Sequence, residues 1–232
     1  MIATALLLPY AVASLVCIAT PGADSLGTLS VSIARGRRAG TAFAVGVGLG
    51  CLTHTLWATI GIAAVVAASE ALFTAIKLAG AAYLAWLGVQ SLRARGGLAI
   101  PVMRSGHGAQ ANADADTDAD ARADAEIDAA QRRKLLVQGF ASNAVNPKVM
   151  LFFLAFLPQF VDPAAGPVWA QMALLGAGFA LMTGLAYALL AASAGRVGQW
   201  LRTRPSAATW ANRIAGMVFL GLALRLALAE RR

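Results

Sequence analysis

The run Thr20-Pro21-Gly22-Ala23-Asp24-Ser25 interrupts an apolar stretch that reaches from near residue 3 to near residue 33. A second run, Asn143-Ala144-Val145-Asn146-Pro147-Lys148, interrupts another such stretch, from near 135 to near 160. Pro21 removes a backbone donor and Gly22 loosens the helix, so the first stretch is expected to break or kink there. Pro147 frees the carbonyl of Asn143 and disfavours helical geometry at Asn146, so a break is expected in the second stretch too. Four further apolar segments lie near 40–66, 71–92, 166–193 and 211–229. About 20 apolar residues cross a bilayer as one helix. The pattern predicts an all-α polytopic membrane protein with six transmembrane helices, the first and fourth broken.

Composition agrees. The chain has 232 residues, 59% hydrophobic and 13% charged, with a mean hydropathy of +0.66. Soluble domains carry about 25% charged residues, and a soluble chain this short could not bury so much apolar surface. An ordinary soluble enzyme, a disordered regulator and a disulfide scaffold are excluded. The first segment has no Lys or Arg before Arg35 and its apolar run is too long for a signal peptide, so it is expected to stay as a transmembrane helix. Cys17 and Cys51 stand alone in apolar surroundings and read as small buried hydrophobes. No metal site and no cofactor are expected.

The net charge of +8 sits in the connections rather than in a basic patch interleaved with aromatics, so nucleic acid is not the expected partner. Three connections are basic. They carry Arg35, Arg37 and Arg38, then Arg93, Arg95, Arg104, Arg132, Arg133 and Lys134, and then Arg196, Arg202, Arg204 and Arg213. The other two, around Ser69-Glu70 and Val161-Asp162-Pro163, have neither Lys nor Arg. The basic connections are therefore expected in the cytoplasm and both termini outside. Residues 96–134 are low-complexity, alternating Asp with Ala, and read as a solvated linker between helices one to three (1–95) and four to six (135–232). Asp114, Asp116 and Asp118 open like a calcium loop, but Ala119 and Ala125 stand where its Gly and Glu are needed. The run Gly46 to Gly50 lies inside an apolar helix and is no dinucleotide fingerprint; Gly46 and Gly50 instead form a pair that lets helix backbones approach closely.

Polar groups kept within a membrane mark function, because burying them costs free energy. An aspartate at a helix centre costs about 2.5–3.5 kcal/mol on the insertion scale. Asp24 has two readings: a site for a cation, an ammonium group or a proton, or a cap on its own broken helix. Asn143 and Asn146 share a helix face. Lys148 either snorkels or sets its charge against Asp24 or a substrate carboxylate. His54 either bonds a neighbouring helix or titrates. Lys77 and Arg225 lie near the external ends and read as snorkelling. Asp24 stands eleven residues before Arg35, and Asn146 twelve after Lys134. Both breaks then sit roughly 16–18 Å from a cytoplasmic charge cluster, near the middle of a core about 30 Å thick. Segment one runs inward and segment four outward. The two halves are expected to form inverted three-helix repeats with a break at the matching place in each, as in secondary transporters.

These residues carry a family resemblance. Thr20-Pro21-Gly22 is followed by Ala-Arg-Gly-Arg-Arg-Ala-Gly at 34–40, Lys77-Leu78-Ala79-Gly80-Ala81-Ala82-Tyr83-Leu84 and Leu87-Gly88. Then come Gly139-Phe140, Asn143, Asn146-Pro147-Lys148 and Phe152-Phe153-Leu154-Ala155-Phe156-Leu157-Pro158-Gln159-Phe160. With them the chain resembles the LysE/RhtB-type amino-acid exporters of bacterial inner membranes. The resemblance implies export of amino acids such as lysine, arginine, homoserine, threonine or leucine, driven by the proton-motive force, with no enzymatic step. It marks Pro21-Gly22 and Asn146-Pro147-Lys148 as signature regions, and Thr20 and Asn143 beside them join the candidate substrate- and proton-binding residues. The family usually has Pro-Gly-Pro followed by Asn or a similar polar residue, where this chain has Ala23 and Asp24. In the expected mechanism, free N–H groups after Gly22 take the substrate carboxylate. Asp24, with Asn143 and Asn146, takes its ammonium group or the coupling proton. An exporter of metal or other small cations is the alternative reading. A thiol–disulfide carrier using Cys17 and Cys51 and a hydrolase using Ser25 and His54 are weaker ones. Gly-rich helix faces are compatible with a homo-oligomer.

Overall fold

A computed structural model describes residues 4–68, 70–94, 127–203 and 205–228. Among these, all regular structure is helical and no strand occurs. Helices α1 (Thr4–Ala19) and α2 (Ala23–Arg35) meet at the Pro21-Gly22 break with a bend of 54°. Gly36 closes α2 at φ 87°, a left-handed conformation that favours glycine, and its N–H caps the Ser32 carbonyl. Helices α3 (Arg37–Ala68) and α4 (Glu70–Arg93) follow. The second half holds α5 (Ala129–Ala144) and α6 (Pro147–Leu151), then a π-helical turn at Phe152–Phe156 and 3-10 turns at Leu157–Phe160 and Pro163–Ala165. It ends with α7 (Val168–Ala192), α8 (Ala194–Thr203) and α9 (Pro205–Leu228).

Several boundaries differ from the sequence reading. Residues 95–126 of the linker lie outside the described residues, but Asp128 accepts a 2.7 Å hydrogen bond from the Gln131 N–H and starts α5 six residues ahead of Leu135. Helix α8 occupies what reads as a plain connection. Helix α9 begins at Pro205, where a proline in the first helical position loses no intrahelical bond.

The exterior is apolar, unlike that of a soluble protein, and several polar groups lie buried inside. Leu174, Leu181, Leu185 and Leu189 of α7 are exposed, as are Leu52, Leu56, Trp57 and Ile60 of α3. Asp24, His54, Asn143, Asn146, Lys148 and Gln171 are buried. Apolar side chains on the outside cost nothing when the surrounding solvent is lipid. By length and apolarity, Arg37–Gly61 and Val168–Ala192 can each cross a membrane alone, and Leu7–Ala19 with Ala23–Arg35 forms a third, broken candidate among the described residues. Ser and Thr hydroxyls turn back onto their own helices, Thr28 to Asp24 O, Thr55 to Cys51 O and Thr59 to Thr55 O, so most need no outside partner.

Close helix crossings rely on glycine. On α3, a Cβ added to Gly46 would run into the Leu136 carbonyl of α5, and one on Gly139 of α5 would run into the Phe43 carbonyl of α3. One on Gly50 would come within 2.8 Å of Asn143 Cβ. The Gly46/Gly50 pair thus seats α5 directly on α3. Gly88 of α4 and Gly216 of α9 do the same at a separate crossing, where added Cβ atoms would meet each other's main-chain oxygens at 2.9 and 2.7 Å. The side chains of Phe152, Phe153, Phe156, Phe160 and Phe179 form a fully buried aromatic stack, with centroids 5.0–5.2 Å apart along Phe179–Phe152–Phe156–Phe160.

Candidate functional site

The break in the first segment leaves two helix ends facing each other, and each end is completed from elsewhere. At the carbonyl end of α1, Thr20 Oγ1 and Thr20 N both donate to Val16 O, at 2.7 and 3.0 Å. Lys148 Nζ donates to Cys17 O and to Thr20 O, each at 3.0 Å. The Tyr187 hydroxyl of α7 donates to Ile18 O at 3.1 Å. The carbonyls a terminated helix leaves free are thereby satisfied by a cation and a phenol. At the N-terminal end of α2, the Ser25 hydroxyl accepts from Gly22 N at 3.0 Å and donates to Gly22 O at 3.1 Å.

Asp24 therefore does not cap α2. Its carboxylate points across to α5 and the break beyond it. Oδ1 accepts from the Ser142 hydroxyl at 2.8 Å, and Oδ2 accepts from Asn143 Nδ2 and Asn146 Nδ2, each at 2.8 Å. The residue is 2% exposed. A buried carboxylate is tolerable when its oxygens are hydrogen-bonded this fully.

The second break holds those donors in place. Asn146 adopts an extended backbone (φ −74°, ψ 109°), as the following proline requires, and its Oδ1 caps α6 by accepting from Lys148 N at 3.0 Å. Its Nδ2 is left for Asp24. The Asn143 carbonyl, released from helical bonding, accepts from Asn146 N at 2.8 Å and from His54 Nε2 at 2.8 Å. The carbonyl can only accept, so Nε2 carries the hydrogen. His54 thus bonds a neighbouring helix, the first of its two readings. Lys148 does not meet the Asp24 carboxylate and does not snorkel; it lies buried on the α1 carbonyls.

Thr20, Gly22, Asp24, Asn143, Asn146 and Lys148 thus come together, His54 joins through Asn143, and Pro21 and Pro147 set the breaks. Beside Asp24 and Lys148 is a small cavity of about 10 Å³, walled also by Cys17, Asn143, Thr183 and Tyr187. That is about the room one water needs. Asn143 Oδ1 and Thr183 Oγ1 are buried, and the Cys51 thiol lies beside both. Ser142, Thr183 and Tyr187 escaped the sequence reading. A tyrosine deep in an apolar segment was the available signal, since a buried phenol needs a partner.

Among the described residues, no three His, Cys, Asp or Glu side chains cluster as metal ligands do. One carboxylate ringed by amides and a hydroxyl suits an ammonium group or a proton. Cys17 and Cys51 are both buried, which denies them the access thiol exchange needs. Ser25 and His54 are each committed to main-chain partners and form no dyad.

A lipid-facing exterior around a buried polar centre at paired helix breaks defines a membrane transport protein. The family model for the LysE type translocator matches residues 15–230, and the chain belongs to that family. Its relatives include an uncharacterized membrane protein of Vibrio cholerae, 30% identical over 96% of this chain and 97% of the relative. The leucine efflux protein of an Enterobacter species is 27% identical over 94% and 93% of the two chains. The homoserine/homoserine lactone efflux protein of Salmonella typhi is 28% identical over 95% of each. No solved structure matches the chain.

Proposed function

We propose that this chain exports amino acids or close derivatives across the bacterial inner membrane as a proton antiporter working by alternating access. The observation that carries the reading is the buried Asp24 carboxylate. It is held at one helix break by donors from the other, beside the small cavity. In this reading six transmembrane helices form two inverted repeats. The broken first span (α1, α2) and the broken fourth (α5 through Phe160) cross at the midplane. A cavity the size of one water admits no amino acid, so substrate enters only when the two halves move apart. Asp24 then exchanges its Asn143 and Asn146 amides for a substrate ammonium group or a proton. The free N–H groups at the start of α2 receive the substrate carboxylate. The names of the leucine and homoserine efflux relatives favour amino-acid substrates. Among the described residues, the reading as an exporter of metal or other small cations has no ligand cluster in its favour. Counterflow of the twenty amino acids in proteoliposomes is the test, with accumulation of at least one expected. A flat response to all of them would overturn the reading.

Two further expectations come with it. From the three basic connections, both termini are expected outside and the linker inside. In a variant lacking Cys17 and Cys51, a reporter cysteine at Asp116 should resist an impermeant thiol reagent in intact cells, and one at Ala164 should react. The opposite pattern would dismantle the inverted repeat. A low-complexity Asp-Ala sequence is expected to contribute little to a packed core. Deleting residues 108–126 should leave membrane levels unchanged and export within about twofold, since the flanking basic residues that set orientation remain.

A further inference from the structure

The last turn of a helix leaves carbonyl oxygens without intrahelical partners and carries partial negative charge. In broken-helix transporters such ends coordinate free monovalent cations. Here the carbonyl end of α1 is filled by a side chain from the other half of the protein. Lys148 Nζ stands 3.0 Å from both Cys17 O and Thr20 O, and Tyr187 closes the Ile18 carbonyl beside them. Gly22 supplies the space, since a Cβ there would stand 3.3 Å from Nζ and 3.8 Å from Cε. The Lys148 side chain is 9% exposed, and its ammonium is not spent on Asp24, which shares the adjoining cavity but bonds Ser142, Asn143 and Asn146. The main-chain carbonyls at the end of α1 thus make a cation site with a lysine already in it.

We propose that Lys148 is a tethered cation: its ammonium occupies a monovalent-cation site at the Cys17 and Thr20 carbonyls, and truncating it uncovers that site for a small free cation. The wild-type chain then carries its own cation and needs none from solution. The inference goes beyond amino-acid export and does not depend on which substrate is carried.

The test is the melting temperature of the purified full chain in detergent. It is measured in methylammonium chloride, in sodium chloride and in choline chloride at equal ionic strength, choline being too large for the site. Lys148→Ala should melt below wild type and recover by about 3 °C in methylammonium or sodium but not in choline. Wild type and Lys148→Arg should show no specific response, because their own cation is in place. Lys148→Met, which fills the space without charge, should melt low in all three salts. A Lys148→Ala variant indifferent to methylammonium and sodium, or a Lys148→Met variant as stable as wild type, would overturn the proposal. If Lys148→Ala protein does not accumulate, its yield from cells grown with and without methylammonium replaces the melting curve. Recovery of yield supports the tethered cation, and continued absence beside normal Lys148→Met yield refutes it. A wild-type protein that transports no amino acid would sink the export reading and leave this result standing.

Discussion

Asp24→Asn is expected to cut proton-driven amino-acid accumulation in proteoliposomes at least tenfold while leaving membrane levels and melting temperature close to wild type. The substitution is unusually clean at this position. An asparagine oxygen can accept from Asn143 Nδ2 and Asn146 Nδ2 as Asp24 Oδ2 does. Its amide can donate to the Ser142 oxygen, because a hydroxyl rotates from donor to acceptor. All three contacts survive and only the titratable charge is lost. Loss of about 1.4 kcal/mol of interaction with an ammonium group or proton already costs a factor of ten. Asp24→Leu is the contrasting variant. It strands three donors, each costing about 1–3 kcal/mol when buried unsatisfied, and it should not accumulate as folded protein. Several neutral and cationic amino acids should be tried, since an amide at this position can still bind a neutral substrate. An Asp24→Asn protein with unchanged rate, substrate range and pH dependence would reduce Asp24 to a structural anchor between α2 and α5.

The two helix breaks were legible in the sequence because their causes are local. A proline withholds one N–H and constrains its predecessor wherever it stands, so Pro21 and Pro147 announce their breaks without knowledge of the fold. The close approach at Gly46 was legible for a similar reason: a residue without a side chain, repeated after one turn, presents bare backbone. What the side chains at the breaks do was not legible. Asp24 is as good a cap as Ser25, and only the apposition of α2 with α5 decides that Ser25 caps while Asp24 reaches across. Lys148 could have paired with the Asp24 carboxylate, yet it reaches the α1 carbonyls instead. Tyr187 and Thr183 join the site from α7, a helix with no break and no charge to draw attention to it. The amphipathic α8 was missed because ten half-polar residues do not register as an apolar span.

Gly139→Ala is expected to be among the most damaging single-methyl changes in the chain, and its damage should reach the polar site. The added carbon would run into the Phe43 carbonyl of α3, and that oxygen belongs to a helix backbone, so no side-chain rotation relieves it. The two helices must separate, at a cost of about 1–3 kcal/mol for overpacking. Helix α5 carries Ser142 and Asn143 one turn further on, and leads directly to Asn146. Displacing it from α3 draws those donors away from Asp24, whose other anchor is α2. Transport should therefore fall further than stability does. Gly46→Ala, which meets the Leu136 carbonyl from the opposite side of the same crossing, should behave alike. Gly61→Ala, on the same α3 but with nothing within 4 Å of the new carbon, is the matched control and should be near wild type. Melting temperature in detergent and counterflow rate measured on the three variants separate the two effects. Equal melting temperatures across all three would mean that α5 does not rest on α3 through these glycines, and Asp24 would then be positioned by something other than that crossing.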